Sequence, residues 1–190
     1  MLTLLIVGFL VIALSGYLVG VYNSLVRVRA AVKLAWSDID VLLVQRHDEL
    51  PKLVEVCKQY MQYESGTLER VMRARADVES ARSARNLPGV SSAERELRSG
   101  LNGLFAVAEN YPQLKASDAF RHLQERISGL ETALADRREV YNDAVNTNNV
   151  RIVSFPDVLV ARLGDFPAAS LLRFQTEEKA DVNLKAAFSG

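Results

Sequence analysis

Few side chains in this sequence could do chemistry at neutral pH. It has two histidines and one cysteine: His47, His122 and Cys57. His122 has Asp118 four residues before it and Glu125 three residues after it. On a helix that spacing puts three ligand-type groups on one face. A di-iron carboxylate centre between helices needs Glu-x-x-His on two of them, plus two further glutamates. Val44 and Ala119 stand where those glutamates would be. The His122 face therefore reads as solvated surface. Cys57 lies on an apolar helical stripe, with no Cys-x-x-Cys and no adjacent histidine, and reads as a buried structural thiol. The phosphate-loop, Gly-x-Ser-x-Gly and His-Glu-x-x-His patterns are missing from the sequence. The expectation is no catalytic residue, no metal ligand and no cofactor.

Two polar groupings remain. Arg70, Arg73, Arg75, Arg82 and Arg85 make one segment basic, which reads as a solvated face or, in a hairpin running back toward a membrane, as one that approaches its anionic surface. Asn142, Asn146, Asn148 and Asn149 crowd one helix end; asparagine is a weak helix former, so either these side chains bond across the fold or the turn frays. The whole chain of 190 residues carries 23 basic and 23 acidic side chains, a net charge of zero. That balance gives no footprint for nucleic acid.

The elements that must position these residues divide sharply. Residues 1–26 contain no charged side chain, and Leu2 to Tyr22 is almost wholly apolar. As a helix that run is about 31 Å long, the thickness of a bilayer core. It has no basic n-region and no A-x-A-like site, so it reads as an uncleaved anchor and not a signal peptide. Arg27, Arg29 and Lys33 follow it and no Lys or Arg precedes it, which predicts the N-terminus outside and residues 27–190 in the cytoplasm.

Beyond the anchor, apolar residues recur in steps of three and four over residues 24–46, 52–85, 93–111 and 117–153, one stripe per helix. Asp48-Glu49-Leu50-Pro51 reads as the start of a second helix after a hairpin, with a kink in one long helix as the alternative. Ser91 or Ser92 is expected to cap the third helix, and Ser117 or Asp118 to open the fourth. Trp36, the only tryptophan, is expected to be buried against the second and fourth helices. The fold class is therefore all-α: an N-terminal transmembrane helix (1–23), then an antiparallel four-helix bundle (24–153), then an extension that is partly apolar with a polar tail (154–190).

Several stretches carry a family resemblance. They are Tyr22-Asn23-x-Leu25-Val26, Ala35-Trp36-Ser37-x-Ile39-Asp40-Val41, Ala108-Glu109-Asn110-Tyr111-Pro112 and Tyr141-Asn142-Asp143-Ala144-Val145. Together they resemble the bacterial LemA family over nearly the whole chain, anchor included. The resemblance implies one membrane helix, a cytoplasmic helical bundle, no enzymatic activity and an association with membrane-bound scaffolding. The chain departs from its relatives in two ways. They carry more basic residues in the segment matching Leu43-Val44-Gln45-Arg46, and a Lys before the anchor.

These readings converge on a scaffold or adaptor of the inner membrane. Its expected partners are membrane lipid, further membrane or cytoplasmic proteins, and copies of itself. The rival class is a ligand- or metal-binding bundle, or an enzyme with a non-standard site. Gly16 and Gly20 form a GxxxG pattern in the anchor, the expected self-association face. Arg27, Arg29, Val158, Leu159 and Leu163 are expected at the membrane interface.

Overall fold

The computed structural model describes residues 1–173; residues 174–190 of the C-terminal extension, including its polar tail, lie outside the described residues. The described residues form helices α1 (Leu2–Lys58), α2 (Ser65–Ser83), α3 (Leu87–Ala108), α4 (Pro112–Lys115), α5 (Asp118–Arg151) and α6 (Asp157–Leu163). No strand occurs among them, in keeping with the all-α class.

Helix α1 runs 57 residues without a break. Its first third is apolar on every side and exposed, and it is long and apolar enough to cross a bilayer. From Leu25 onward one stripe turns inward: Ala35, Ile39, Leu43, Leu50, Leu53, Val54 and Cys57 are buried.

The expected hairpin at Pro51 does not form; Pro51 lies inside α1. Proline has no N–H, so the carbonyl of His47, four residues earlier, loses its helical partner. Arg75 of α2 replaces it, its Nε donating to that oxygen at 2.8 Å. A buried carbonyl left unpaired would cost about 1–3 kcal/mol. The turn falls instead after Lys58, where Met61 folds wholly into the core.

Local capping sets the later boundaries. Asn86, and neither Ser91 nor Ser92, caps α3: its side chain accepts from the Gly89 N–H, and Pro88 occupies the first turn. Ser91 is buried instead. Ser117 caps α5 as expected, accepting from the Phe120 N–H.

The closest neighbours are α1 with α5 and α2 with α3, and α1 also meets α2. One core runs through all four of these helices. Their lengths differ. Helix α5 has 34 residues, about 51 Å, whereas α2 has 19, about 28 Å. The α2–α3 pair therefore covers only the half of α1 far from the anchor, where Arg82 of α2 meets Asp40. That level is about 27 Å along α1 from Tyr22. The basic residues of α2 thus stop short of the anchor end, while Arg85, just beyond α2, borders the same hollow as Lys33. Arg70, Arg75 and Arg82 engage Ser99, the His47 carbonyl, and Glu79 with Asp40.

Candidate functional site at the anchor-proximal end

Where α2 and α3 do not reach, the rest of the chain closes the fold. Helix α5 runs antiparallel to α1 and returns to the base of the anchor, where Arg151 Nη1 donates to Ser24 Oγ at 2.7 Å. Its Nε donates to Asp157 Oδ2 at 2.6 Å, tying the end of α5 to the first turn of α6. Helix α6 buries Val160 and Ala161 against Val21 and Leu25, the last turns of the apolar run, with Phe166 closing the cluster. Tyr22 meets Phe166 edge-to-face at 5.6 Å, and the Arg29 guanidinium lies 6.0 Å from the same ring.

The chain then turns through Gly164 and Asp165, the latter in the left-handed region at φ 50°. Asparagine and aspartate tolerate that conformation better than other residues with side chains. Residues 167–172 follow as an extended strap along α5. Asn149 donates to the Ala169 carbonyl and accepts from the Ala169 N–H, both at 2.8 Å. Seven residues back, Asn142 pairs with Leu172 in the same way, at 3.0 and 2.9 Å. Seven residues are two helical turns, so both amides leave one face of α5. Asn148 donates to the Pro167 carbonyl and Tyr141 to the Ser170 carbonyl. The strap thus obtains from side chains the pairing that a sheet neighbour would supply, and its Leu172 side chain enters the core. Three of the four asparagines bond across the fold; Asn146 is exposed.

Outside this framework several large apolar side chains are left bare. Val153 is 70% exposed, Phe155 81%, Leu159 56% and Leu163 90%. Leu159 and Leu163, two of the expected interface residues, are open to solvent beside the anchor, whereas Val158 is half-buried. Arg27 and Arg29 are exposed at the same level. The glycines of the anchor pattern face open space: a Cβ on Gly16 or Gly20 would meet nothing within 4 Å.

A second polar centre lies deeper, where α1 meets α3 and α5. Arg46, 2% exposed, pairs with the equally buried Glu94, and its other terminal nitrogen lies 3.9 Å from Glu131. Burial pushes the Glu131 carboxyl above its ordinary value, against the attraction of Arg46 and Arg98. Adjacent His47 is lowered by burial and then by Arg75. Its Nδ1 and one Glu131 oxygen are buried without a hydrogen-bond partner among the described residues. This centre ties three helices into one register, and a small hollow between α1 and α2 reaches Arg46 and His47.

Sequence reasoning missed this cluster, although a signal for it exists. Ile39, Leu43, Arg46, Leu50 and Val90, Glu94, Leu97, Leu101 are each spaced by alternating fours and threes. The charges occupy core positions.

The other candidates are dispersed. His122, Asp118 and Glu125 are all exposed, and the described residues contain no cluster of three or more metal-ligating side chains. Cys57 is fully buried, and burial pushes its thiol up to about 12. Trp36 is only half-buried, resting edge-to-face on Tyr141 at 6.0 Å. Its outer side faces Arg82, Arg85 and Leu87 across a surface hollow, because α2 ends at that level.

Comparison with known proteins places this architecture. Two magnetosome proteins of Paramagnetospirillum magneticum, MamQ 1 and MamQ 2, are each 33% identical over 82 residues, which is 43% of this chain and 29% of theirs. The chain thus spans under a third of the length of these relatives. The LemA protein of Metamycoplasma hominis is 26% identical over 166 residues, covering 87% of this chain and 74% of its own. The LemA family model matches residues 35–186, from the helix just beyond the anchor into the C-terminal extension, and the chain belongs to the LemA family.

Proposed function

We propose that this chain is a single-pass protein of the inner membrane, with its N-terminus outside and a cytoplasmic four-helix bundle of α1, α2, α3 and α5 that serves as a scaffold or adaptor for other proteins. The observation that carries this reading is the continuity of α1. One 57-residue helix supplies both the apolar span and a quarter of the core, so the bundle cannot swivel independently of its anchor. A rigid coupling of this kind presents protein-binding surfaces at a set height and orientation, which suits a platform. Exposed Arg27, Arg29 and Lys33 on the bundle side support the orientation. The open glycine face supports assembly of copies through the anchor, and clustering would turn weak partner contacts into avid ones.

The test has two parts. A cysteine at Ser83 should resist an impermeant label in intact cells, and labelling there overturns the orientation. A photo-crosslinking residue at Tyr63, 94% exposed at the membrane-distal turn, should yield discrete protein adducts in living cells. Absence of adducts there and at the exposed faces of α3 and α5 overturns the adaptor role.

A further inference from the structure

The corner between α5 and α6 presents a surface that the fold leaves unused. Within eleven residues of one another in sequence, Val153, Phe155, Leu159 and Leu163 expose more than half of their area each, a denser run of bare apolar side chains than the isolated ones at Leu34, Val41, Tyr63, Val140 and Val150. Such patches on a folded surface mark contacts with something apolar. Their position identifies it. Helix α6 is seated on Val21 and Leu25. From Leu2 to Val21 the helix rises about 28 Å, which consumes the hydrocarbon thickness of a bilayer. Helix α6, seated on Val21 and Leu25 through Val160 and Ala161, therefore sits at the level of the headgroups.

The charges agree. Arg27, Arg29, Lys33 and Arg162 are exposed around this end. Asp157 is turned inward, 2.6 Å from Arg151, which leaves Asp165 as the exposed acid of the segments beside them. Cations ringing an apolar surface match an anionic lipid face. The framework is also held from behind, by the Arg151 bridge and by the asparagine-bound strap, so the corner meets lipid as a preformed element and loses little freedom in doing so.

We propose that this corner is a second membrane contact: Phe155, Leu159 and Leu163, with Val153 beside them, insert among the headgroups of an anionic leaflet next to the exit of α1. The proposal rests on the reading of α1 as a membrane anchor. It gives the protein two contacts with one leaflet, so the bundle is fixed in tilt as well as in height.

The test uses the full chain, with the buried Cys57 replaced by serine, in vesicles of three parts neutral to one part anionic phospholipid. Single cysteines replace Phe155, Leu163, Glu109 or Leu10 and carry an environment-sensitive fluorophore. Lipids bearing a nitroxide at a shallow acyl position act as quenchers. Emission from 155 and 163 should be blue-shifted and quenched at least threefold more than from 109, at the exposed far end of the fold. Leu159→Asp should remove most of that difference at 163. Wholly neutral vesicles should weaken it. Water-like emission at 155 and 163, equal to that at 109, overturns the proposal, as does a Leu159→Asp variant quenched as strongly as its parent. Position 10 separates the two readings. If it is quenched by deep nitroxides while 163 is not quenched by shallow ones, the second contact is wrong and the anchor stands; if 10 is not quenched, the anchor reading fails and the second contact with it.

Discussion

The bond between Arg75 and the His47 carbonyl exists because residue 51 is proline, and that dependence can be measured. In the parent chain the carbonyl has lost its helical donor, and the Arg75 guanidinium supplies one from 2.8 Å away on α2. A hydrogen bond from a charged group is worth about 1.5–3 kcal/mol, and Arg75→Met should cost that amount. Pro51→Ala restores the N–H within α1 and relieves the ring against the preceding turn. Interior proline costs ~3 kcal/mol in an unassisted helix. Arg75 already recovers part of that, and alanine loosens the unfolded chain by ~0.4–1 kcal/mol. The net expectation for Pro51→Ala is a gain of about 1–2 kcal/mol. In the alanine background, Arg75→Met should cost under about 1 kcal/mol, because the carbonyl is now bonded twice over. The double-mutant cycle should thus show at least ~1 kcal/mol of coupling between residues 24 apart in sequence. Urea unfolding of the full chain in detergent, followed through Trp36, gives all four corners. Trp36 is a suitable reporter because it lies half-buried on Tyr141. If Arg75→Met costs the same with proline or alanine at 51, then Arg75 serves α2 for some other reason and the account of the unbroken helix is wrong.

Three further expectations follow from the same contacts. Asn149→Ala removes both bonds to Ala169, so amide exchange at Ala169 should accelerate by about 5- to 100-fold, on the order of 1–3 kcal/mol, with little change in the core of α3; unchanged protection at Ala169 would refute the strap. Glu131 has its folded pKa raised by burial, so the folded state holds its proton longer than the unfolded state does, and this group's contribution to stability falls as pH rises from its ordinary 4.5. Glu131→Gln should therefore stabilise the protein more at pH 7.5 than at pH 4.5; a pH-independent difference in urea midpoint would count against its burial. Gly16→Ile and Gly20→Ile place their side chains in open space in the protomer, so they should leave folding unchanged while reducing crosslinking of full-length copies several-fold. Crosslinking equal to that of the parent would remove the glycine face as an interface.

What was legible in the sequence was what short-range bonds decide. Helical hydrogen bonds join residues four apart, and so the apolar stripes, the unbroken run from Leu2 to Tyr22 and a helix start at Ser117 or Asp118 could be read directly. The family resemblance rested on the same kind of local motif. The tertiary structure decided matters whose partners lie far apart along the chain. Pro51 has every local mark of a helix start, yet the group that keeps it inside α1 is an arginine on another helix. Arg46 and Glu94 were not singled out in the sequence, because a lone charge does not belong in a core; each is tolerated only beside the other, 48 residues away. The asparagines near the end of α5 were ambiguous between bonding and fraying until the strap, 19 to 30 residues later, gave them carbonyls and N–H groups to hold. At the corner, Leu159 and Leu163 were expected at the interface from sequence, whereas Phe155 and Val153 were not singled out and Val158 turned out half-buried. Only the mismatch in length between α2 and α5, and the seating of α6 on Val21, shows that these apolar side chains face outward at the end of the span.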